Sequence, residues 1–281
     1  MSDRTAPPDP LFLATAAEAV LEAGRIQMAS FGRAGVRVDK KGAIDLVTEV
    51  DVAVERWFRD FIAERFPDHT ILAEELQAAS PAARAGAPAT HRWIFDPIDG
   101  TTNFAHGLPI FCASLALEID GVVMVGAVYD PTRQELFTAE RGGGAFLNGR
   151  RIQVSAATNL IDALLCTGFP YDVHESGEDI LGLFSAFIRR SRAVRRLGSA
   201  ALDLCYVAAG RLDGFWEQRL KPWDVAAGAL IVEEAGGTIN GMDGGPFTLA
   251  GGHIVASNGP VQAGMLQVIR EYYDSVGRRP G

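Results

Sequence analysis

Cysteine is scarce in this chain of 281 residues: Cys112, Cys166 and Cys205 are its three, odd in number, far apart and without a CxxC pair. Neither a disulfide framework nor a cysteine-held zinc site is expected, and a reducing compartment fits. Positive charge is also short, with 26 Lys and Arg against 35 Asp and Glu for a net charge of −9. A basic face for a phosphodiester backbone is not expected, so nucleic acid is not predicted as a partner. The paired arginines at 189–190 and 195–196 form the one local basic cluster and read as the solvated ends of a helix and a strand. Long apolar runs are missing too. No segment approaches the roughly 18 uninterrupted apolar residues of a membrane helix. The amino terminus, with Pro7-Pro8-Asp9-Pro10, lacks the basic and apolar regions of a secretory signal. A cytoplasmic protein with no membrane partner is expected. HExxH, G-x-S-x-G, P-loop and Rossmann strings are all absent, which leaves zinc protease, serine hydrolase, NTPase and dehydrogenase chemistry unsupported.

What is present is the composition of an ordinary globular protein, 48% hydrophobic and 22% charged. The length permits one large unit or two closely packed halves. Helical spacing of apolar residues predicts a helix from Asp9 to Phe31, with Pro10 in its first turn. A second helix is signalled by Thr48 as N-cap with Asp51 three residues on, and it stops at Phe66-Pro67. Strands are predicted at Thr70 to Ala73 and Trp93 to Phe95, and the tract from Ala78 to Thr90 reads as a surface loop. Two β-rich runs between Phe111 and Asp130 flank Asp120-Gly121, a dipeptide suited to a tight hairpin, and Glu135 to Thr138 and Ala145 to Leu147 continue the sheet. Beyond Thr158, strands near 163–167, 193–197 and 214–216 alternate with helices near 178–190, 200–209, 225–235 and 261–273, an α/β pattern.

The densest chemistry lies in Trp93-Ile94-Phe95-Asp96-Pro97-Ile98-Asp99-Gly100-Thr101-Thr102-Asn103-Phe104. Carboxylates at the end of a buried strand repel one another unless protonated or bridged by cations, so a hard, oxygen-seeking ion such as Mg²⁺ is the natural partner. The backbone at Gly100-Thr101-Thr102 can then offer N–H groups to a phosphate. By local chemistry alone, an Asp turn followed by an N-cap describes the same string.

Four strings in order decide between these: Asp45-Leu46-Val47-Thr48-Glu49-Val50-Asp51, Ala73-Glu74-Glu75, the stretch from Trp93 to Phe104, and Trp223-Asp224-Val225-Ala226-Ala227-Gly228. Together they resemble the inositol monophosphatase family, Mg-dependent, lithium-sensitive phosphomonoesterases, over nearly the whole chain. The resemblance implies a layered αβαβα fold of the α/β (α+β) class, like that of the sugar phosphatases. It implies one unit over 1–281, with sub-regions of about 1–155 and 156–281 meeting at a metal cleft. It further implies that Glu74, Asp96 and the Ile98 carbonyl hold a first Mg²⁺, and that Asp96, Asp99 and Asp224 hold a second. A third, weaker ion would lie near Glu74. Thr101 and Asp51 match the pair that orients and helps deprotonate the attacking water, and Asp51 can cap its helix as well; a capping-box residue only for Asp51 and a mere turn residue for Thr101 are the alternatives.

Substrate contacts implied by the resemblance are Asp99, Gly100 and Thr101, with Gly198, Ser199 and Ala200 lining the alcohol side and Glu217 accepting hydrogen bonds from sugar hydroxyls. An ordinary Ser199 N-cap is the alternative for that turn. Glu75 is left out of the metal shell because neighbours on a strand point to opposite faces. Lys40 lies five residues before Asp45, where the family carries a lysine near the metals, but adjacent Lys41 leaves the register open, and a solvated basic loop is the expected description of either. Thr167-Gly168-Phe169-Pro170 departs from the animal inositol enzymes and looks like the bacterial branch. The expected activity is hydrolysis of a small phosphorylated polyol or sugar, inositol monophosphate first, by a homodimer. A related sugar or histidinol phosphatase, and a regulatory role of the same fold with RNA or the transcription machinery, are the alternatives.

Overall fold

The structure is a computed structural model that describes residues 9–33, 35–42, 44–76, 90–173 and 178–279; most of the predicted loop from Ala78 to Thr90 lies outside them. Helix α1 (Pro10–Ser30) begins at the Asp9 N-cap, whose carboxylate accepts from the Leu11 N–H. A short hairpin of β1 (Val38–Lys40) and β2 (Leu46–Thr48) leads into α2 (Glu49–Arg65), which opens on the expected capping box of Thr48 and Asp51.

A seven-stranded sheet runs in sequence order through β3 (Thr70–Ala73), β4 (His91–Asp99), β5 (Cys112–Ile119), β6 (Val122–Asp130), β7 (Glu135–Glu140), β8 (Gly144–Leu147) and β9 (Arg150–Arg151). It is antiparallel except for the parallel β3–β4 pair. Asp120 and Gly121, with φ of 50° and 80°, make the β5–β6 hairpin turn as expected.

Alternation sorts the apolar side chains of this sheet between two cores. Trp93, Phe95, Leu115 and Leu117 pack with α1 and α2, whereas Ile94, Ala116 and Val128 face the other way. That second face is covered by α5 (Ala200–Ala208) and α6 (Pro222–Glu234), which also pack on each other. Beyond them lies a five-stranded sheet in the order β11-β10-β12-β14-β13, made of β10 (Leu164–Thr167), β11 (Ala193–Arg195), β12 (Gly214–Gln218), β13 (Thr238–Asn240) and β14 (His253–Ser257). Its outer face is closed by α4 (Glu178–Ile188) and α7 (Gln262–Ser275) around Phe187, Trp216 and Met265. The five layers are thus α, β, α, β, α, with the one-turn helix α3 (Thr101–Ala105) leaving the end of β4.

Three departures from the sequence expectation concern the site. Strand β4 does not stop at Phe95 but continues to Asp99, paired with β5 throughout except for a register shift between Asp96 and Asp99. Asp96 faces Ser114 and Asp99 faces Cys112, so three steps on one strand meet two on the other. In a regular strand residues three apart point to opposite faces; the bulge turns both carboxylates to the side of α5 and α6. Helix α6 begins at Pro222, earlier than expected, because proline suits the first turn, and this places Asp224 in that turn. Periodicity does not predict β1, β2 and β13, which are three residues each and too short to show a period.

Candidate active site

A cavity of about 440 Å³ opens where the end of β4 meets the amino-terminal ends of α5 and α6. Glu74, Asp96, Ile98, Asp99 and Asp224 all line it, and so do Gly100, Thr101, Gly198, Ser199, Ala200 and Glu217. Asp51 is absent from the lining: fully buried, it lies behind Thr101.

The carboxylates raise one another's proton affinity. Asp96 is pushed well above the ordinary range, first by burial and then by the charges of Glu74, Asp99, Asp224 and Asp51. Asp224 is pushed well up by burial and by Asp99, against a hydrogen bond from the Lys221 N–H to its Oδ2 at 2.7 Å. Glu74 rises through burial and the charges of Asp51 and Asp45, with Lys41 opposing. Burial also raises Asp99, although four donors oppose it: the Ser199 hydroxyl and Ala201 N–H at 2.7 Å from Oδ2, the Ala200 N–H at 3.3 Å from Oδ1, and the Cys112 thiol. Asp99 therefore holds the amino terminus of α5 from another layer. Ser199 stands at the N-cap position, but its hydroxyl makes no cap bond to its own helix, so the ordinary N-cap alternative is set aside.

Thr101 Oγ1 lies 3.1 Å from Asp51 Oδ1 and 2.9 Å from the Ile98 carbonyl oxygen. One hydroxyl proton serves one acceptor at a time, so Thr101 can donate to Asp51 while its lone pairs accept from a third group. Asp51 Oδ2 takes the Thr48 N–H at 2.8 Å and the Thr48 hydroxyl at 2.5 Å. One oxygen of Asp51 thus closes the capping box and the other faces Thr101, so capping its helix does not use up the carboxylate. Burial raises Asp51 above its ordinary value despite these bonds. Gly100 is left-handed at φ 98°, and a Cβ there would come 2.9 Å from the Ile110 carbonyl oxygen, so only glycine fits this turn. From behind, Gln27 of α1 donates to the Pro97 carbonyl at 2.7 Å and pins the bulge.

Glu217, on the same cavity, is pushed up to about 8 by burial and then by Asp203, with Arg196 opposing. Gly168 admits this carboxylate: a Cβ there would stand 2.1 Å from its oxygens.

One expectation is corrected: Lys41, though still an exposed residue, is not a free surface cation, because its ammonium donates to Glu74 Oε1 at 2.8 Å and Glu75 Oε1 at 2.5 Å. Burial pulls Lys41 down, but the two carboxylates outweigh it and hold its pKa above the ordinary value. Glu74 and Glu75 share that ammonium, yet only Glu74 lines the cavity; both lie past the end of β3 at Ala73. Of the two lysines between which the sequence left the register open, Lys41 is the one that lines the cavity.

Among the described residues, no three His, Cys, Asp or Glu side chains form a closed metal cage, and several lone pairs of Asp96, Asp99 and Asp224 are turned to protein N–H groups. The donor chemistry nonetheless fits a hard divalent cation. Every candidate ligand is a carboxylate or carbonyl oxygen, the choice of Mg²⁺ rather than zinc, and the carboxylates' mutual repulsion is what such an ion relieves.

The inositol monophosphatase family model matches residues 11–274. The chain is 42% identical over 259 residues to an inositol-1-monophosphatase of Mesorhizobium japonicum, covering 90% of this chain and 94% of that one. It is 44% identical over 236 residues to the Nus factor SuhB of Salmonella typhimurium, covering 84% and 86%. The crystal structure of the extragenic suppressor protein SuhB of Bartonella henselae superposes with a TM-score of 0.87 at 38% identity, covering 93% of this chain and 99% of that one. With likeness of this extent in both sequence and fold, the chain belongs to the inositol monophosphatase family, a family of phosphoric monoester hydrolases.

Proposed function

We propose that the protein hydrolyses a small polyol phosphate, inositol monophosphate foremost, in a Mg²⁺-dependent reaction. The observation that carries this reading is the meeting of Glu74, Asp96, Asp99 and Asp224 on one cavity, where Asp45 and Glu217 bring the carboxylates to six against the four cations Lys41, Arg196, Arg219 and Lys221 among the described residues. A phosphate dianion is repelled by such a pocket unless divalent cations reverse its sign. Glu74, Asp96 and the Ile98 carbonyl would hold one ion, Asp96, Asp99 and Asp224 a second, and a third would rest weakly near Glu74. Bound there, Mg²⁺ supplies Lewis acidity, acidifying water and neutralising charge on the phosphoryl and leaving oxygens.

The chain's own groups would do the rest. Thr101 accepts a hydrogen bond from the attacking water and passes a proton to Asp51, whose raised pKa suits a base. The first N–H groups of α3 lack intrahelical partners and would receive phosphoryl oxygens. Gly198, Ser199 and Ala200 would border the departing alcohol, and Glu217 would bind its hydroxyls. A cavity of about 440 Å³ suits a monosaccharide-sized ester.

The test is a phosphate-release screen over inositol phosphates, sugar phosphates, histidinol phosphate and nucleotides, with Mg²⁺ or with EDTA. Inositol monophosphate should lead, EDTA should abolish turnover, and Asp96→Asn should lower kcat by about 100-fold or more. Turnover in EDTA, or a near wild-type Asp96→Asn enzyme at saturating Mg²⁺, rejects the reading.

A further inference from the structure

Glu55 is fully buried on α2, one helical turn beyond Asp51 and on the same face. Its Oε2 accepts the Glu75 N–H at 2.7 Å and its Oε1 the Leu76 N–H at 2.9 Å. Arg59, a further turn along, donates from Nε to Glu55 Oε1 at 2.8 Å and from Nη2 to the Leu76 carbonyl at 2.5 Å. The pair thus grips the chain at three backbone atoms immediately after Glu74, where β3 has already ended at Ala73 and the sheet ladder no longer fixes the backbone.

We propose that Glu55, braced by Arg59, is the positioning residue that sets Glu74 in place as a ligand; this rests on the Mg²⁺ reading of Glu74 given above. A buried ion pair is a poor device for stability alone, because its desolvation offsets its attraction and well-packed apolar side chains do as well. What an apolar pair cannot do is accept two backbone N–H groups and donate to a backbone carbonyl. Both oxygens of Glu55 act as acceptors, so an amide in its place turns an NH₂ group against a donor. Through the same helix face, Asp51 reaches Thr101 while Glu55 reaches the Glu74 turn, so α2 ties the general base to a ligand of the metal it serves.

The experiment is calorimetric titration of Mg²⁺ into metal-stripped wild type, Glu55→Gln, Arg59→Lys and Glu74→Gln. It is paired with melts in EDTA and with activity as a function of Mg²⁺ concentration. Glu55→Gln should raise the Mg²⁺ Kd by about 10-fold or more, and the half-activating Mg²⁺ concentration should rise by a larger factor than kcat falls. Arg59→Lys keeps the charge but cannot hold Glu55 and the Leu76 carbonyl together, and should raise Kd less. A purely structural Glu55 predicts a lower melting temperature in EDTA with an unchanged Kd, which overturns the proposal. If Glu55→Gln does not fold, an unchanged Kd in Arg59→Lys overturns it and a raised one supports it. A wild-type Kd in Glu74→Gln removes the metal reading and the positioning claim together. Weak binding in Glu74→Gln beside normal binding in Glu55→Gln removes only the latter.

Discussion

The Ser199 hydroxyl donates to Asp99 Oδ2 at 2.7 Å across a sequence separation of one hundred residues, joining the bulged end of β4 to the start of α5. Its proton goes to a buried carboxylate, so the bond is charge-assisted. Ser199→Ala should cost about 1–3 kcal/mol, several degrees in Tm for a chain of this size. The Ala201 N–H remains on Asp99, so the variant should still fold. Thermal melts at neutral pH check this, and an unchanged Tm would show that the clasp contributes nothing.

Asp224 tests the proposed metal site without any substrate. A cation bound only to the folded state adds RT ln(1 + [L]/Kd), about 2.7 kcal/mol at a hundredfold excess over Kd. Melts with millimolar Mg²⁺ against EDTA should show an upward shift in wild type. Asp224→Ala should shrink that shift without lowering the EDTA Tm, because it removes a repelling charge at the modest loss of the bond from the Lys221 N–H. An equal shift in both proteins would exclude Asp224 as a ligand.

Glu217 gives the metal-free protein a pH dependence. Its pKa rises from 4.5 to about 8, chiefly by burial and then by Asp203. The folded state thus holds this proton more tightly than the unfolded one. The resulting stability is fully present below about pH 4.5 and is lost as pH rises through 8. His69 runs the other way, lowered to about 4 by burial and then by His91, so the difference between variants is the quantity to read. In EDTA, the Tm of Glu217→Gln minus that of wild type should grow between pH 5 and 8. A flat difference would mean Glu217 ionises normally.

Gly168→Ala should act on selectivity. The new Cβ would press on the Glu217 carboxylate, the movable end of a side chain, so the fold should survive while the hydroxyl-binding geometry shifts. The kcat/KM for inositol monophosphate should fall about 10-fold, with an artificial aryl phosphate nearly unaffected. Equal losses on both would take Glu217 out of alcohol recognition.

The parts of the site written in contiguous strings were readable before folding. Thr48 and Asp51 announce a capping box, and Asp96 and Asp99 stand together on one strand end. What could not be read depends on distance in the chain. Lys41 is one of two adjacent lysines, and only the fold brings it to Glu74 and Glu75. Ser199 resembles any N-cap until Asp99 arrives from the other sheet. The Asp96–Asp99 bulge is invisible because a bulge is defined by its partner strand, and here that partner begins at Cys112. Glu55, four residues before Arg59, carried no signal in the sequence, and only its burial and its bonds to the Glu75 and Leu76 N–H groups reveal it as a backbone clamp.

The two ends of the clasp between Asp99 and Ser199 are also made far apart in time, one hundred residues separating them in the chain. The first sheet is complete once Arg151 has left the ribosome, yet the helices that cover its inner face begin at Ala200 and Pro222. Until they emerge, Ile94, Ala116, Val128 and Phe137 have nothing to pack against on that side, and Asp96 and Asp99 remain in water. A chain cut after Arg151 would therefore expose one whole face of its sheet, and the cluster of carboxylates is complete only when α6 brings Asp224 to Asp96 and Asp99.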